Sequence, residues 1–168
     1  MLQLSLSLDS SLLVRDVAGD YRPANADEVL QAARRVLAGQ MRGCEALTSP
    51  QVVRDFLRVK LGALEHEVFA VIHLDAQNRV IEYVEMFRGT VSQTSVYPRE
   101  VVKEALARNS AALLLVHNHP SGVAEPSRAD ELLTQTLKSA LALVDVRVLD
   151  HLIVAGSAIL SFAERGLL

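Results

Sequence analysis

The stretch "AALLLVHNHPSGVAEPSRADELL", residues 111–133, places three kinds of segment in direct succession. Ala111 to Val116 is a short apolar run and reads as a strand buried on both faces, ending at His117. Pro120-Ser121-Gly122 forces a turn at once, and the loop continues to Pro126. Ser127 then stands as a helix N-cap with Asp130 three residues on, and Leu132, Leu133, Thr136, Leu137, Ala140 and Leu141 recur at helical spacing. A buried strand turning straight into an amphipathic helix is a unit of a sheet with helices packed on it.

Working outward, "VRVLDHLIVAG" (146–156) predicts another strand, followed by a short strand at 158–160 and a terminal turn. Upstream, "PREVVKEALARN" (98–109) is a helix opened by Pro98 and stopped near Asn109-Ser110. Val68 to Leu74 is an interior strand, which "DAQN" turns into a second strand over 79–87 to make a hairpin. Ser49-Pro50 forms an N-cap and first-turn pair for a helix that Gly62 ends. An earlier helix runs from the Asn25/Asp27 cap region to Gly39, with Val29, Ala32, Ala33, Val36 and Leu37 on one face.

This order predicts an α/β or α+β fold for residues 46–168, with 1–45 as an N-terminal extension and a linker at Gly39–Gly43. The extension opens with Leu2, Leu4, Leu6 and Leu8 alternating, which suits an edge strand or a strand lent to a partner. A homodimer is one expectation from that pattern, and a loosely ordered terminus is the alternative.

With 168 residues, 50% of them hydrophobic, the chain can bury one sizeable core. Its net charge of −3 leaves no basic stripe of the kind that announces nucleic acid. The single cysteine, Cys44, excludes an internal disulfide and reads as a linker residue; no secretory signal pattern opens the chain. No run reaches the roughly 18 apolar residues of a membrane span, so a cytoplasmic protein without membrane attachment is expected.

On a strand, residues two apart share a face, so His117 and His119 converge while Asn118 points away. The turn brings Asp130 back toward the strand end. Two imidazoles and one carboxylate, without cysteine, match the three protein ligands of a catalytic zinc, whose bound water has its pKa lowered to about 7. Each part has a plainer explanation, since Ser-x-x-Asp is also an everyday cap worth about 1 kcal/mol. Together at one strand mouth they favour the metal reading, because bare polar groups there would be costly. His73 shares a face with Phe69 and Val71 and reads as a satisfied core residue. Asp150 and His151 lie on opposite strand faces, so at most one can look toward the site.

"HNHPSGVAEPSRAD" resembles the JAMM signature of JAB/MPN metalloproteases, His-x-His-Pro followed by Ser-x-x-Asp. The flanking "GTVSQTSVYPREVVKEAL" and "LDHLIVAG…LSFAERGLL" resemble the RadC branch of that group, over roughly residues 46–168. The resemblance implies a cytidine-deaminase-like curved mixed β-sheet flanked by helices. It implies one Zn²⁺ per chain, held by His117, His119 and Asp130. It places a general-base glutamate at Glu67, in "LEHEVFAVIHLD", with Glu65, Glu82 and Glu85 as rivals, and an oxyanion donor at Ser127.

The function it implies is hydrolysis of an amide, peptide or isopeptide bond in a protein or peptide substrate. Two departures stand out. Asn118 replaces the Ser or Thr that many JAMM isopeptidases carry between the histidines, and residues 1–45 look too short for the helix-hairpin-helix of longer RadC proteins. The competing expectation is a DNA-associated accessory protein with a structural or regulatory metal, which the near-neutral charge disfavours.

Overall fold

The computed structural model describes residues 12–44, 46, 49–89 and 95–168. Among them the chain forms β1 (Leu13–Arg15), β2 (Tyr21–Pro23), α1 (Ala26–Met41), α2 (Pro50–Leu61), β3 (Val68–Leu74) and β4 (Val80–Arg88). It continues with α3 (Pro98–Ala107), β5 (Ala112–Asn118), α4 (Arg128–Ala142), β6 (Arg147–Ala155) and β7 (Ala158–Ser161). The leucine alternation at Leu2–Leu8, and the strand exchange expected from it, lie outside the described residues.

One sheet has the order β4-β3-β5-β6-β7. Its neighbours pair antiparallel except β5 and β6, which run parallel and are joined by α4 as the crossover. Every residue of β3 and β5 is buried, as their unbroken apolar runs predict for strands covered on both faces. Strand alternation sorts these side chains into two cores. Ala70, Ile72, Leu114 and Val116 pack with Phe56, Leu57 and Leu61 of α2. Phe69, Val71, Leu113 and Leu115 pack on the other face with Val101 and Ala105 of α3 and Leu137 and Leu141 of α4. The architecture is the mixed α/β sheet with flanking helices of a JAB/MPN fold.

The expected boundary near residue 45 falls where the chain pairs with β4. Gly43 N–H donates to Val80 O at 2.9 Å, and Val80 N–H donates to Cys44 O at 2.9 Å. Met41, at the end of α1, is buried in the same core as α2. Half-burial pushes the Cys44 thiol pKa up, which leaves it a poor nucleophile. The β1–β2 hairpin is an addition to the expected elements; strands of three residues carry too little alternation to be read. Arg22 clamps that hairpin to Glu28 of α1 at 2.6 and 2.9 Å.

Asn25 caps α1 through a complete capping box, whereas Ser49 holds the cap position of α2 without a side-chain cap bond. His73 departs from the expected satisfied core residue. Its Nδ1 meets Ser110 Oγ at 2.8 Å, but Nε2 has no hydrogen-bond partner among the described residues. Burial pushes its pKa down to about 4, so the ring is neutral near neutral pH. No described helix is long and apolar enough to cross a membrane.

Gly62 closes α2 against the β6–β7 turn, where an added Cβ would stand 2.5 Å from Gly156 O. Gly62→Ala is therefore expected to destabilise the fold by about 1–3 kcal/mol, read as a lower urea midpoint at unchanged slope. Gly39, inside α1 with nothing within 4 Å of its Cβ position, is the control. Gly39→Ala should instead stabilise by about 0.5–1 kcal/mol.

Candidate metal centre

β5 extends two residues beyond the expected end, so His117 and Asn118 belong to the strand. His119 continues the pattern, because its N–H donates to Val154 O of β6 at 2.8 Å. Gly122, with φ +79°, makes the turn that the Pro-Ser-Gly sequence announces, and His119 Nδ1 lies 2.8 Å from Val123 O. A neutral His119 thus donates from Nδ1 to that carbonyl and keeps its Nε2 lone pair free.

Ser127 and Asp130 form the expected capping box at the start of α4. Ser127 N–H and its hydroxyl both donate to Asp130 Oδ2 at 2.7 Å, and Asp130 N–H donates back to Ser127 Oγ at 3.2 Å. The cap therefore orients the carboxylate, and Oδ1 is the oxygen outside it.

His117 Nε2 and His119 Nε2 are 2.9 Å apart. Asp130 Oδ1 stands 3.3 Å from His117 Nε2, and Oδ2 stands 3.6 Å from His119 Nε2. Tetrahedral ligands about 2.0–2.1 Å from a zinc ion would be roughly 3.3 Å from one another, so the donor set fits a metal of that size. Burial raises the Asp130 pKa, but hydrogen bonds with His117 and His119 outweigh it and hold the carboxyl well below the usual range. The hydrogen bond to Asp130 raises the His119 pKa against burial, with smaller contributions from Val123 and Glu67. Those bonds need a proton on a histidine Nε2; with both histidines neutral and protonated at Nδ1, the cluster instead gathers acceptors around one point, where a cation would relieve their mutual repulsion.

Register places the remaining expected residue. Phe69 of β3 sits opposite His117 of β5 as the last pair of their ladder, and the same alternation continued by two residues would set Glu67 beside His119 on that face. The Glu67 charge is felt at His119. The ladder between β3 and β5 ends at Phe69–His117, and Asn118 takes over with its side chain. Its Oδ1 accepts Val68 N–H at 2.8 Å and its Nδ2 donates to His66 O at 3.0 Å, fastening the backbone on both sides of Glu67.

The rival glutamates are engaged or turned elsewhere. Glu85 pairs with Lys60 of α2 on the opposite face, and Glu82 binds Arg108 at the far end of β4. Glu65 is exposed, ahead of the strand.

Sequence reasoning gave His151 little weight and did not single out Thr134 as a site residue. His151 is fully buried, its Nε2 2.8 Å from His117 Nδ1 and its Nδ1 2.6 Å from Thr134 Oγ1. Burial foremost, then His117, push the His151 pKa well below its ordinary value. A β-bulge explains the placement. Leu113 pairs with Val148 but Leu114 pairs with Asp150, so Leu149 is an extra residue in β6. Strict alternation from Val148 would have turned Asp150 toward the site; the bulge turns His151 there instead. Asp150 accepts hydrogen bonds from Ser161 Oγ and Ala163 N–H on the other side. Thr134 follows Asp130 by four residues and so sits one helical turn behind it, which is the signal that spacing carried.

Fold and cluster together define a JAB-type α/β domain whose sheet end carries a two-histidine, one-carboxylate group able to hold a metal. The family model of the RadC-like JAB domain matches residues 47–167. A UPF0758 protein of Leptothrix cholodnii is 62% identical over 150 residues, covering 89% of this chain and 68% of the relative. One of Methylibium petroleiphilum is 57% identical over 167 residues, covering 95% and 75%. Another, of Aromatoleum aromaticum, is 64% identical over 146 residues, covering 86% and 65%. The chain belongs to the RadC-like JAB domain family.

Metal analysis checks the donor set directly. The purified protein is expected to hold a divalent ion that His117→Ala and Asp130→Ala each lose, since removing one of three protein ligands leaves too few for a stable site. Undiminished metal content in both variants would refute these ligands.

Proposed function

We propose that the protein is a zinc-dependent hydrolase acting on an amide, peptide or isopeptide bond of a protein or peptide substrate. The observation that supports this reading is the β3–β5 register at Phe69–His117, which, continued by alternation, sets Glu67 beside His119, where the Glu67 charge is felt. Zinc, when bound, supplies Lewis acidity and a water acidic enough to react near neutral pH. Glu67 would be the group that takes a proton from the attacking water and returns it to the leaving nitrogen. Asn118 keeps the Glu67 backbone in place for both transfers.

Ser127 serves as the donor to the developing oxyanion, a contribution commonly worth about 2.7–4 kcal/mol. Its hydroxyl here points at Asp130 Oδ2, so that role requires the hydroxyl to turn outward. Asp130 Oδ2 keeps the Ser127 N–H when it does.

A peptide-library cleavage assay with metal analysis tests the assignment. Glu67→Gln is expected to lower turnover by about 10²–10⁴-fold while the metal stays bound, and Glu82→Gln to leave turnover near wild type. Undiminished turnover in Glu67→Gln would sink its role.

A second reading, an accessory protein that binds DNA, has basic side chains gathered beside α1, α2 and β4 as its one support. Arg34, Arg35 and Arg42 stand there around a cavity of about 320 Å³, with Tyr83, the acidic Glu82 and Lys60, which pairs with Glu85. An electrophoretic titration at two salt concentrations decides it. DNA binding that weakens with salt and with Arg35→Glu/Arg42→Glu, but not with His117→Ala, is the outcome this reading requires.

A further inference from the structure

On the reading of His117, His119 and Asp130 as a metal centre, we infer that Thr134 and His151 form a directional hydrogen-bond relay. The relay fixes the tautomer of His117, so that its Nε2 lone pair is directed at His119 and Asp130.

The direction follows from counting protons. Thr134 Oγ1 lies 2.6 Å from two groups, the backbone carbonyl of Asp130 and Nδ1 of His151. A hydroxyl has one proton to donate, and a carbonyl oxygen can only accept. The Thr134 proton therefore goes to Asp130 O, as is common for a threonine bonding back one helical turn. His151 Nδ1 must then be the donor to Thr134 Oγ1.

A neutral imidazole carries one N–H, so Nε2 of His151 is left as an acceptor. Its partner at 2.8 Å is His117 Nδ1, which must donate. The single proton of a neutral His117 is thereby held at Nδ1, and the lone pair falls to Nε2, 2.9 Å from His119 Nε2 and 3.3 Å from Asp130 Oδ1. The reversed chain would leave two oxygens, Thr134 Oγ1 and Asp130 O, facing each other at 2.6 Å without a proton. A doubly protonated His151 is disfavoured by burial: the ring is fully enclosed, with Phe69 in edge contact at 6.0 Å between centroids and Phe162 tilted against it at 4.7 Å.

The relay links the ligands to one another. Asp130 supplies a side-chain oxygen to the centre and a main-chain oxygen to the far end of the chain that orients His117. Any movement of the first turn of α4 reaches both donors. Partners behind metal-binding histidines commonly change metal affinity by about 10–100-fold when removed, and Thr134 acts here at one further remove, as a positioning residue.

The test has a spectroscopic arm and an affinity arm. Long-range ¹⁵N–¹H correlation spectra of the metal-free protein should show His117 and His151 both protonated at Nδ1; a proton at Nε2 of His151 would overturn the relay. In chelator competition, Thr134→Val should bind Zn²⁺ about 10-fold more weakly than wild type, with Thr134→Ser restoring the affinity. Thermal unfolding of the metal-free variants confirms that each is folded. Equal affinity in Thr134→Val and wild type would overturn the relay and leave the zinc centre standing. Failure of the wild-type protein to take up Zn²⁺, with the Nδ1 tautomers present, would overturn the centre and leave the relay standing.

Discussion

Everything at the site depends on β5 pairing antiparallel with one neighbour and parallel with the other. The parallel pair with β6 demands a crossover, and a helix that returns along the sheet from the end of β5 must begin at that end. The first turn of α4, with Asp130, is delivered there. The antiparallel pair with β3 has the complementary effect, since the start of β3 lies beside the end of β5. The segment leading into β3, which carries Glu67, reaches that end from the other side. Two imidazoles on one strand thus meet one carboxylate from the helix that follows, while that segment, with Glu67, approaches from the neighbouring strand.

Those carboxylates are held differently, and the difference suits what each is proposed to do. Asp130 is tied to Ser127 by the cap, so one oxygen is committed to the helix start while the other faces the histidines. A ligand oxygen gains from that rigidity, because its position need not be restored each time a metal binds. The cap and the cluster also pull against each other. The Ser127–Asp130 box stabilises α4, but it fastens a carboxylate beside the Nε2 atoms of His117 and His119, which resist one another unless a proton or a metal ion lies between them. A metal ion removes that conflict, so binding stabilises the fold by mass action as well as completing the site.

The readable part of this arrangement was the part that obeys a period. His117 and His119 follow from alternation, Asp130 from the cap spacing, and β3 and β5 from apolar runs. Glu67 stands one residue before its strand in a group of glutamates, and only resemblance distinguished it, because the register that favours it is a tertiary fact. His151 was hidden for a different reason. Its orientation depends on the extra residue at Leu149, and nothing in "VRVLDHLIVAG" marks a bulge. Thr134 occupies a core-facing position of α4 and looks like any small polar residue there until its partners are known. The unpartnered Nε2 of His73 was likewise unreadable, since it depends on which side chains cross the sheet to meet it.

Asn118 shows why the residue between the two ligands matters although it faces away from them. Alternation sends its side chain to the side of the strand where the β3 ladder has just ended, leaving His66 O and Val68 N–H without main-chain partners in β5. A primary amide carries both a donor and an acceptor, in the spacing that a peptide unit would have presented, and so it extends the ladder by one more rung. A hydroxyl at the same position also carries a donor and an acceptor, but on one atom of shorter reach, so it would not present them in the spacing of a peptide unit. The segment "His-Asn-His" therefore offers two candidate metal ligands on one side and, on the other, fastens the chain around the carboxylate proposed to work with them. Ligand geometry and base placement are coupled through a single tripeptide, and a change at residue 118 would loosen Glu67 without touching a ligand.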